Sequence, residues 1–266
     1  MRFPDSPRVI YDKNPLETVI CQLRFPPILR IDGEAPFEFQ EKIRADYPIY
    51  KDRQLSNPGL SLPPEIMKAF GEDFSWAFKA GTKAYDFFST DEAWNISLTR
   101  EFIALSSKTY RRWEDFRGRM EKAVSAFEQI YVPAHYSRIG LRYRDIINRS
   151  RLDLKGVDWA ELLAPHIAGE LNSGPLAEHV SNIKKELVIE LEDAKGSVLI
   201  KHGLVQKPDA DEAYYLIDSD FSFVGMTEVA NAGQRLNYFN REAARLFKWC
   251  ISPRLYEAMG PRPVEP

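Results

Sequence analysis

The chain has 266 residues, enough for one large domain or two small ones, and 44% of them are hydrophobic, which excludes an intrinsically disordered protein. Its 36 basic and 39 acidic residues give a formal net charge of -3, which argues against a surface devoted to nucleic acid. There is no apolar leader, and no apolar run approaches the ~20 residues that span a bilayer, so we expect a cytoplasmic protein outside the membrane.

The first half of the chain, residues 1–134, is predicted to contain a strand, a helix, three strands and a long helix. The strands are expected at 18–25, 75–80, 85–98 and 101–107, and the helices begin at Pro36 and near Tyr110. A bend near Asp91 is the alternative to a straight strand at 85–98. The long helix carries an apolar stripe formed by Trp113, Phe116, Met120, Val124, Phe127 and Tyr131. The segment 49–73 is rich in proline and glycine, which predicts irregular structure apart from a short helix at 64–70.

The second half, residues 135–266, repeats this order. Its strands are expected at 138–147, 186–192, 197–204 and 213–223, and its helices at 158–167, from about 227 onward and at 253–259. The long helix has an apolar stripe at alternating spacings of four and three, formed by Ala232, Leu236, Phe239, Ala243, Leu246 and Cys250. The tail from Pro261 is expected to be free. Gly118 and Gly233 fall inside the two long helices, where we expect close packing to explain them.

These patterns predict an α+β fold made of duplicated β-α-β-β-β-α units. The two units would form one curved, mostly antiparallel sheet, with the long helices packed on its convex face. Since neither half is rich enough in apolar residues to stand alone, the halves are expected to join into one continuous globular unit. The cysteines, Cys21 and Cys250, each lie in an apolar pattern and are expected to be buried free thiols. A redox pair or a thiol nucleophile is the alternative.

The strand at 138–147 separates charged from apolar side chains. Arg138, Arg142 and Arg144 share one face because side chains alternate along a strand, and Ile139, Leu141 and Tyr143 share the other. The first strand of the other half should occupy the equivalent place, which aligns Gln22 and Arg24 with Arg142 and Arg144.

Acidic side chains are placed in the same way on the later strands. Asp218 and Asp220 share a face of one strand, and Glu190 and Glu192 share a face of another. Opposite charges on neighbouring strands indicate cross-strand ion pairs. Three interpretations remain open: a structural charge ladder, a groove in which arginines bind a phosphate or carboxylate, and a carboxylate pair for metal or acid–base chemistry.

His202 adjoins Lys201 in a predicted strand and is a further candidate for the groove, although a structural histidine is the alternative. The candidate ligand-binding residues are therefore Gln22, Arg24, Arg142, Arg144, Glu190, His202, Asp218 and Asp220. No motif for a nucleophile, a nucleotide or a local zinc site is present in the sequence, so we expect no cofactor, no metal site and no catalytic residue.

Basic residues also lie along both long helices, at Arg111, Arg112, Arg117, Arg119, Arg235, Arg241, Arg245 and Lys248. They are off the apolar stripes, so an ordinary solvated face is the first interpretation. A face that contacts nucleic acid is the alternative, because aromatic residues are interleaved with the basic ones.

Several runs of sequence resemble a sporadically distributed, uncharacterised prokaryotic family of about this length. They are Tyr11–Pro26, Phe102–Leu105, Tyr110 with Trp113 and Phe116, and above all Arg138-Ile-Gly-Leu-Arg-Tyr143. The resemblance spans nearly the whole chain and implies a single full-length family unit, but it implies neither an activity nor site residues. A patchy distribution is typical of mobile or defence-linked genes, which suggests an accessory role in such a locus.

The sequence thus favours a non-enzymatic binding protein with a charged groove for an anionic small molecule or a protein segment. One alternative is a nucleic-acid-binding or defence-complex component. Another is a metal-dependent hydrolase or nuclease that uses Asp218 and Asp220. An exposed outer strand would also allow two copies to pair as a homodimer.

Overall fold

The structure is a computed structural model that describes residues 2–55, 82–192, 195–206 and 212–264. Its strands are β1 (Val9–Tyr11), β2 (Leu16–Arg24), β3 (Ile49–Leu55), β4 (Thr82–Phe88), β5 (Trp94–Leu98), β6 (Phe102–Ser107), β7 (Tyr136–Ile147), β8 (Lys184–Glu190), β9 (Ser197–Val205), β10 (Tyr214–Thr227) and β11 (Pro261–Pro263). Its α-helices are α1 (Arg30–Gly33), α2 (Phe37–Ile43), α3 (Trp113–Tyr131), α4 (Trp159–Leu162), α5 (Pro165–Ala168), α6 (Ala232–Cys250) and α7 (Pro253–Ala258). The predicted helix at 64–70 and strand at 75–80 lie outside the described residues.

Nine strands form one sheet in the order β3-β4-β5-β6-β2-β7-β10-β9-β8. The first strands of the two halves, β2 and β7, are neighbours in the middle of this order. On one side follow β6, β5 and β4, and on the other β10, β9 and β8, so corresponding strands of each half occupy corresponding places. The strand pairs β3–β4, β4–β5, β5–β6, β8–β9 and β9–β10 are antiparallel. The predicted α+β fold with one large, mainly antiparallel sheet is confirmed.

The chain divides into two compact units, and three strands of the sheet contribute residues to both. Unit 1 comprises 1–19, 140–223 and 233–266, and unit 2 comprises 20–139 and 224–232. In unit 1, the rings of Phe239 on α6 and Phe221 on β10 are 6.1 Å apart. In unit 2, the rings of Phe127 on α3 and Phe25 after β2 are stacked 4.6 Å apart.

The apolar stripes of both long helices are largely confirmed. All six predicted stripe positions of α6 are buried, with Phe239, Leu246 and Cys250 at 0% exposure. On α3 the buried positions include Trp113, Phe116, Met120 and Phe127.

The prediction that the glycines of these helices lie in close packing is wrong, because a Cβ built on Gly118 or Gly233 meets no described atom within 4 Å. Close packing therefore does not explain them.

Three segments differ from the prediction. Residues 49–55 form β3 rather than irregular chain. The segment 85–98 is two strands, β4 and β5, and the chain turns at Asp91, the position of the alternative bend. Asp91 closes this turn by accepting hydrogen bonds from the Ser89 hydroxyl (2.6 Å) and the Ala93 N–H (3.1 Å). The predicted helix at 158–167 is two short helices, since Pro165 starts α5 and disfavours helical backbone at the preceding residue.

The C-terminal tail was predicted to be free, but in the structure it forms a strand. Strand β11 pairs antiparallel with β1, with Val9 opposite Pro263 and Tyr11 opposite Pro261. This small sheet ties the first residues of unit 1 to its last ones, and Tyr11 makes edge-to-face ring contacts with Phe247 and Tyr256 at 5.9 Å each. Residues 2–19, which we call the N-terminal arm, therefore contribute to the core of unit 1, where Phe3 is 1% exposed.

Candidate binding face

Strand β7 presents its two sides as predicted. Ile139, Leu141 and Tyr143 are at most 7% exposed, and the Tyr143 hydroxyl accepts a hydrogen bond from Asn240 Nδ2 of α6 at 2.7 Å. This side faces the helix. Within unit 1, the opposite side carries Arg142 and Arg144, which point away from α6 because side chains alternate along a strand.

The strand register of unit 1 aligns charged side chains into a row across three strands. Asp218 of β10 lies opposite Lys201 of β9, and Lys201 lies opposite Glu186 of β8. The Lys201 Nζ is 3.3 Å from a Glu186 carboxylate oxygen. The next row, two residues along, consists of Asp220, Leu199 and Val188. We call these six side chains, together with Arg142, the open face of unit 1.

The exposure of the open face falls from the edge strand inward. Val188 is 62% exposed on β8, the side chain of Lys201 is 29% exposed on β9, and Asp218 is only 5% exposed on β10. The side chains on the helix-facing side of β9 and β10, such as Ile200, Ile217 and Phe221, are at most 1% exposed.

Arg142 and Asp218 form a bidentate ion pair at the inner end of the charged row. The Nε of Arg142 donates to one carboxylate oxygen at 2.7 Å, and Nη2 donates to the other at 2.5 Å. The two side chains are only 12% and 6% exposed. Burial alone would lower the pKa of Arg142, but the hydrogen bonds and charge of Asp218, with the charge of Asp220, outweigh it, so the pKa is raised. The arginine is thus held charged and fixed in position.

Arg144 is also bound by a carboxylate of its own unit. Its Nη1 donates to Glu17, and the two side chains are 17% and 37% exposed. Glu17 was not among the predicted residues, because its position before the first predicted strand gives no indication of its partner. The predicted cross-strand ion pairs are therefore present, and they occupy the arginines that were expected to bind an anion.

Gln22 and Arg24 belong to unit 2. Gln22 Oε1 accepts a hydrogen bond from Arg138 Nη1 at 3.2 Å, and Arg24 Nη2 is 3.4 Å from Glu101 Oε2. Burial lowers the pKa of Arg24, while the charge of Glu101 opposes this shift. The open face of unit 1 does not contain these two residues.

His202 lies on the opposite side of β9 from Lys201, because adjacent residues of a strand face opposite ways. It is 4% exposed, and its Nδ1 is 2.8 Å from the Tyr215 hydroxyl. Burial, with the nearby charges of Lys185 and His166, lowers its pKa to about 4, so the ring is neutral at pH 7. It is therefore not on the open face. Glu190 is exposed at the end of β8, opposite Ser197.

Asp145 is a buried acid that the sequence interpretation missed. It follows Arg144 on β7 and so lies on the helix-facing side, where it is 6% exposed. Burial raises its pKa well above the usual value, and the charge of Asp218 adds to the shift. The signal was available, since an aspartate at this parity of a half-buried strand must lie among apolar residues.

Several basic residues of the long helices pair with acidic residues of their own units. On α3, Arg112 pairs with Asp115 at 3.1 Å and Arg117 with Glu121 at 2.6 Å. On α6, Arg245 pairs with Glu242 at 2.5 Å. These pairs reduce the positive potential that a nucleic acid would meet.

A metal centre and a reactive thiol are two other classes of site. No group of three or more metal-ligating side chains occurs among the described residues. Cys21 and Cys250 are buried free thiols, and burial raises the pKa of both, which disfavours the reactive thiolate. A small pocket in unit 1 is lined by Tyr11, Phe247, Lys248 and Tyr256 among others, and contains none of the predicted site residues.

No helix in the described part of the chain is long and apolar enough to cross a membrane. A scan of the sequence against protein-family models finds no match, and a search of curated proteins finds no similar sequence.

Proposed function

We propose that this protein is a non-enzymatic binding protein that recognises an extended protein segment on the open face of unit 1. The observation that carries the proposal is the pair of aligned rows, Glu186–Lys201–Asp218 and Val188–Leu199–Asp220. They offer charges of both signs beside exposed apolar surface, and the two rows lie two residues apart along the strands. An extended polypeptide presents alternating polar and apolar side chains at a matching repeat.

A small anion fits the same surface less well. To bind Arg142, it would have to displace Asp218 from a bidentate pair whose side chains are 12% and 6% exposed. The displaced carboxylate would remain in a poorly solvated place without a partner, which costs several kcal/mol. A protein segment is therefore favoured over an anionic small molecule as the ligand.

The hydrolase alternative is not supported by the geometry of its two carboxylates. Both oxygens of Asp218 accept hydrogen bonds from Arg142, so they are not arranged to hold a cation with Asp220. A link to a prokaryotic defence locus stays a prediction from the resemblance alone.

The test is a selection of peptides from a displayed random library on the purified full chain, followed by affinity measurements with the selected synthetic peptide. We expect Leu199→Ala and Lys201→Ala each to weaken its binding by about tenfold, as loss of a central contact does. The matched controls are Leu176→Ala and Lys155→Ala, because both residues are exposed and lie outside the open face. Their affinities should equal that of the wild type.

Two results would overturn the proposal. One is a selected peptide that binds the Leu199 and Lys201 variants as tightly as the wild type. The other is native mass spectrometry that finds a co-purified small anion whose binding is lost in Arg142→Ala, because that result would restore the anion as the ligand.

A further inference from the structure

Among the strands that the structure describes, β8 is the outermost on the unit 1 side, since it pairs with β9 and ends the strand order. Two hydrogen bonds flanking the hairpin show which of its residues face β9. The Leu204 N–H donates to the Ile183 carbonyl at 3.0 Å, and the Leu191 N–H donates to the Gly196 carbonyl at 2.9 Å. Ile183 and Leu191 are both odd-numbered, and every second residue of an antiparallel strand exchanges both backbone hydrogen bonds with the partner strand. The odd-numbered residues of β8 are therefore the ones bonded to β9.

The even-numbered residues of β8 therefore direct their backbone N–H and C=O groups away from β9. Lys184, Glu186 and Val188 have this orientation, and their side chains are exposed. An outer strand with such a row of outward backbone groups is a template for pairing with another strand. Seven residues, Lys184–Glu190, are long enough for a complete added ladder.

We propose that β8 pairs antiparallel with β8 of a second copy of this chain and forms a symmetric homodimer. A two-fold axis at Leu187 brings all seven residues of both strands into register. Lys184 then lies opposite Glu190 of the other copy at both ends of the ladder, and Glu186 lies opposite Val188. These are even-numbered positions, so their outward backbone groups supply the new hydrogen bonds.

The charge pattern selects this register over its neighbours. An axis at Glu186 would place Glu186 opposite itself, and an axis at Val188 would place Glu186 opposite Glu190 twice, which is unfavourable for like charges across strands. At the Leu187 axis, the two Lys184–Glu190 pairs are attractive. This observation is independent of the one that carries the proposed function.

The first test uses charge reversal in the full chain and sedimentation equilibrium. Lys184→Glu and Glu190→Lys each replace two attractive cross-strand pairs by two repulsive ones, so each should raise the dimer dissociation constant by about tenfold or more. The double variant restores opposite charges and should return to near the wild-type constant. Both side chains are exposed, and thermal unfolding of each variant should confirm that the fold is kept.

The second test fixes the register by cysteine cross-linking. At the proposed axis the two Leu187 Cα atoms are about 4.5 Å apart, so Leu187→Cys should form an intermolecular disulfide under mild oxidation. Ile189→Cys is the matched control, because its two copies would be about 14 Å apart along the strands. The native thiols, Cys21 and Cys250, are buried and do not compete.

A wild-type chain that is monomeric at every accessible concentration overturns the inference. So does a dimer that the double reversal fails to restore, or one in which Ile189→Cys cross-links as readily as Leu187→Cys. None of these results bears on peptide binding by Leu199 and Lys201, so the two proposals fail separately.

Discussion

The side chains of Arg142 and Asp218 show how alternation along single strands leads to an ion pair that is almost buried. Each is nearly out of contact with water, at 12% and 6% exposure, and each is tolerated there because the other neutralises it. Alternation along β7 dictated that Arg142 would leave the apolar side of the sheet. The partner was within reach of sequence reasoning because Asp218 and Asp220 share a face of the neighbouring strand.

We expect Asp218→Asn to lower the free energy of unfolding by about 3 kcal/mol, because it leaves a poorly solvated guanidinium without its carboxylate. The measurement is urea unfolding at neutral pH. Lys122→Ala is the control, since Lys122 and Asp46 form an exposed pair, 61% and 38% exposed, whose removal should change stability by less than about 1 kcal/mol. Equal effects of the two substitutions would contradict the prediction. The double change Arg142→Met with Asp218→Leu should recover most of the loss.

Asp145 makes the stability of the protein depend on pH. Its pKa is raised by burial and by the charge of Asp218, so the folded chain keeps a proton that the unfolded chain releases above about pH 4. The unfolded state then binds fewer protons than the folded state, and stability falls as pH rises above that value. An asparagine side chain in this place would be neutral in both states and would remove this dependence.

We therefore expect Asp145→Asn to gain stability over the wild type as pH rises from about 4 to 7, by at most about 1.4 kcal/mol per pH unit. Urea unfolding of both proteins across this range measures the difference. A difference that stays constant with pH would show that Asp145 ionises in the folded protein as it does in the unfolded one.

At the scale of elements, the long amphipathic helices and β7 could be predicted because the period of apolar residues within each segment determines which side is buried. The stripe of α6 follows the helical period for nineteen residues, and every one of its predicted core positions is buried. Strand β3 was missed because its residues, Ile49–Leu55, include Lys51, Asp52 and Arg53, and so show no clear apolar alternation. Its identity depends on pairing with β4, which is information that lies outside the segment.

In the candidate site, too, some features follow from the sequence of one strand and others depend on pairing with another strand. The faces of Arg142, Asp218 and Asp220 follow from alternation within one strand. The alignment of Asp218 with Lys201 and of Lys201 with Glu186 follows from hairpin register, which the sequence of one strand does not contain. The prediction that His202 could reach the groove neglected alternation, since it was placed beside Lys201 on the same strand.

Replacing a glycine by alanine should change the stability of the protein in opposite directions in the hairpin β8–β9 and in helix α3. Gly196 has φ of +132°, and an added Cβ would lie 2.3 Å from the Ser222 carbonyl oxygen. Gly118 is an exposed helical residue with open space around the Cβ position. We expect Gly196→Ala to destabilise the protein by about 1–3 kcal/mol and Gly118→Ala to stabilise it by about 1 kcal/mol. Thermal unfolding measures both, and a shift of the same sign in the two variants would contradict the argument.

At the scale of the whole molecule, the compact units do not coincide with the two halves of the sequence. Unit 1 includes residues 1–19 as well as most of the second half, and strands β2, β7 and β10 each contribute residues to both units. Within unit 1, the ring of Phe3 lies 5.7 Å from that of Trp249, and β1 pairs with β11. Glu17 binds Arg144 in the same unit. Residues 135–266 therefore lack part of their own core when separated from the N-terminal arm.

We expect the fragment 135–266 to lack cooperative unfolding and a native near-ultraviolet circular dichroism spectrum when expressed alone. It loses the buried side chain of Phe3 and the ring contacts of Tyr11, and loss of a buried aromatic side chain alone typically costs about 3–5 kcal/mol. Mixing it with the fragment 1–134 should restore both signals, because the missing residues then return. A matched mixture with Phe3→Ala in the first fragment should restore them less completely. Independent cooperative folding of 135–266 would instead show that the second half carries a sufficient core, and that the N-terminal arm is an addition to a finished domain.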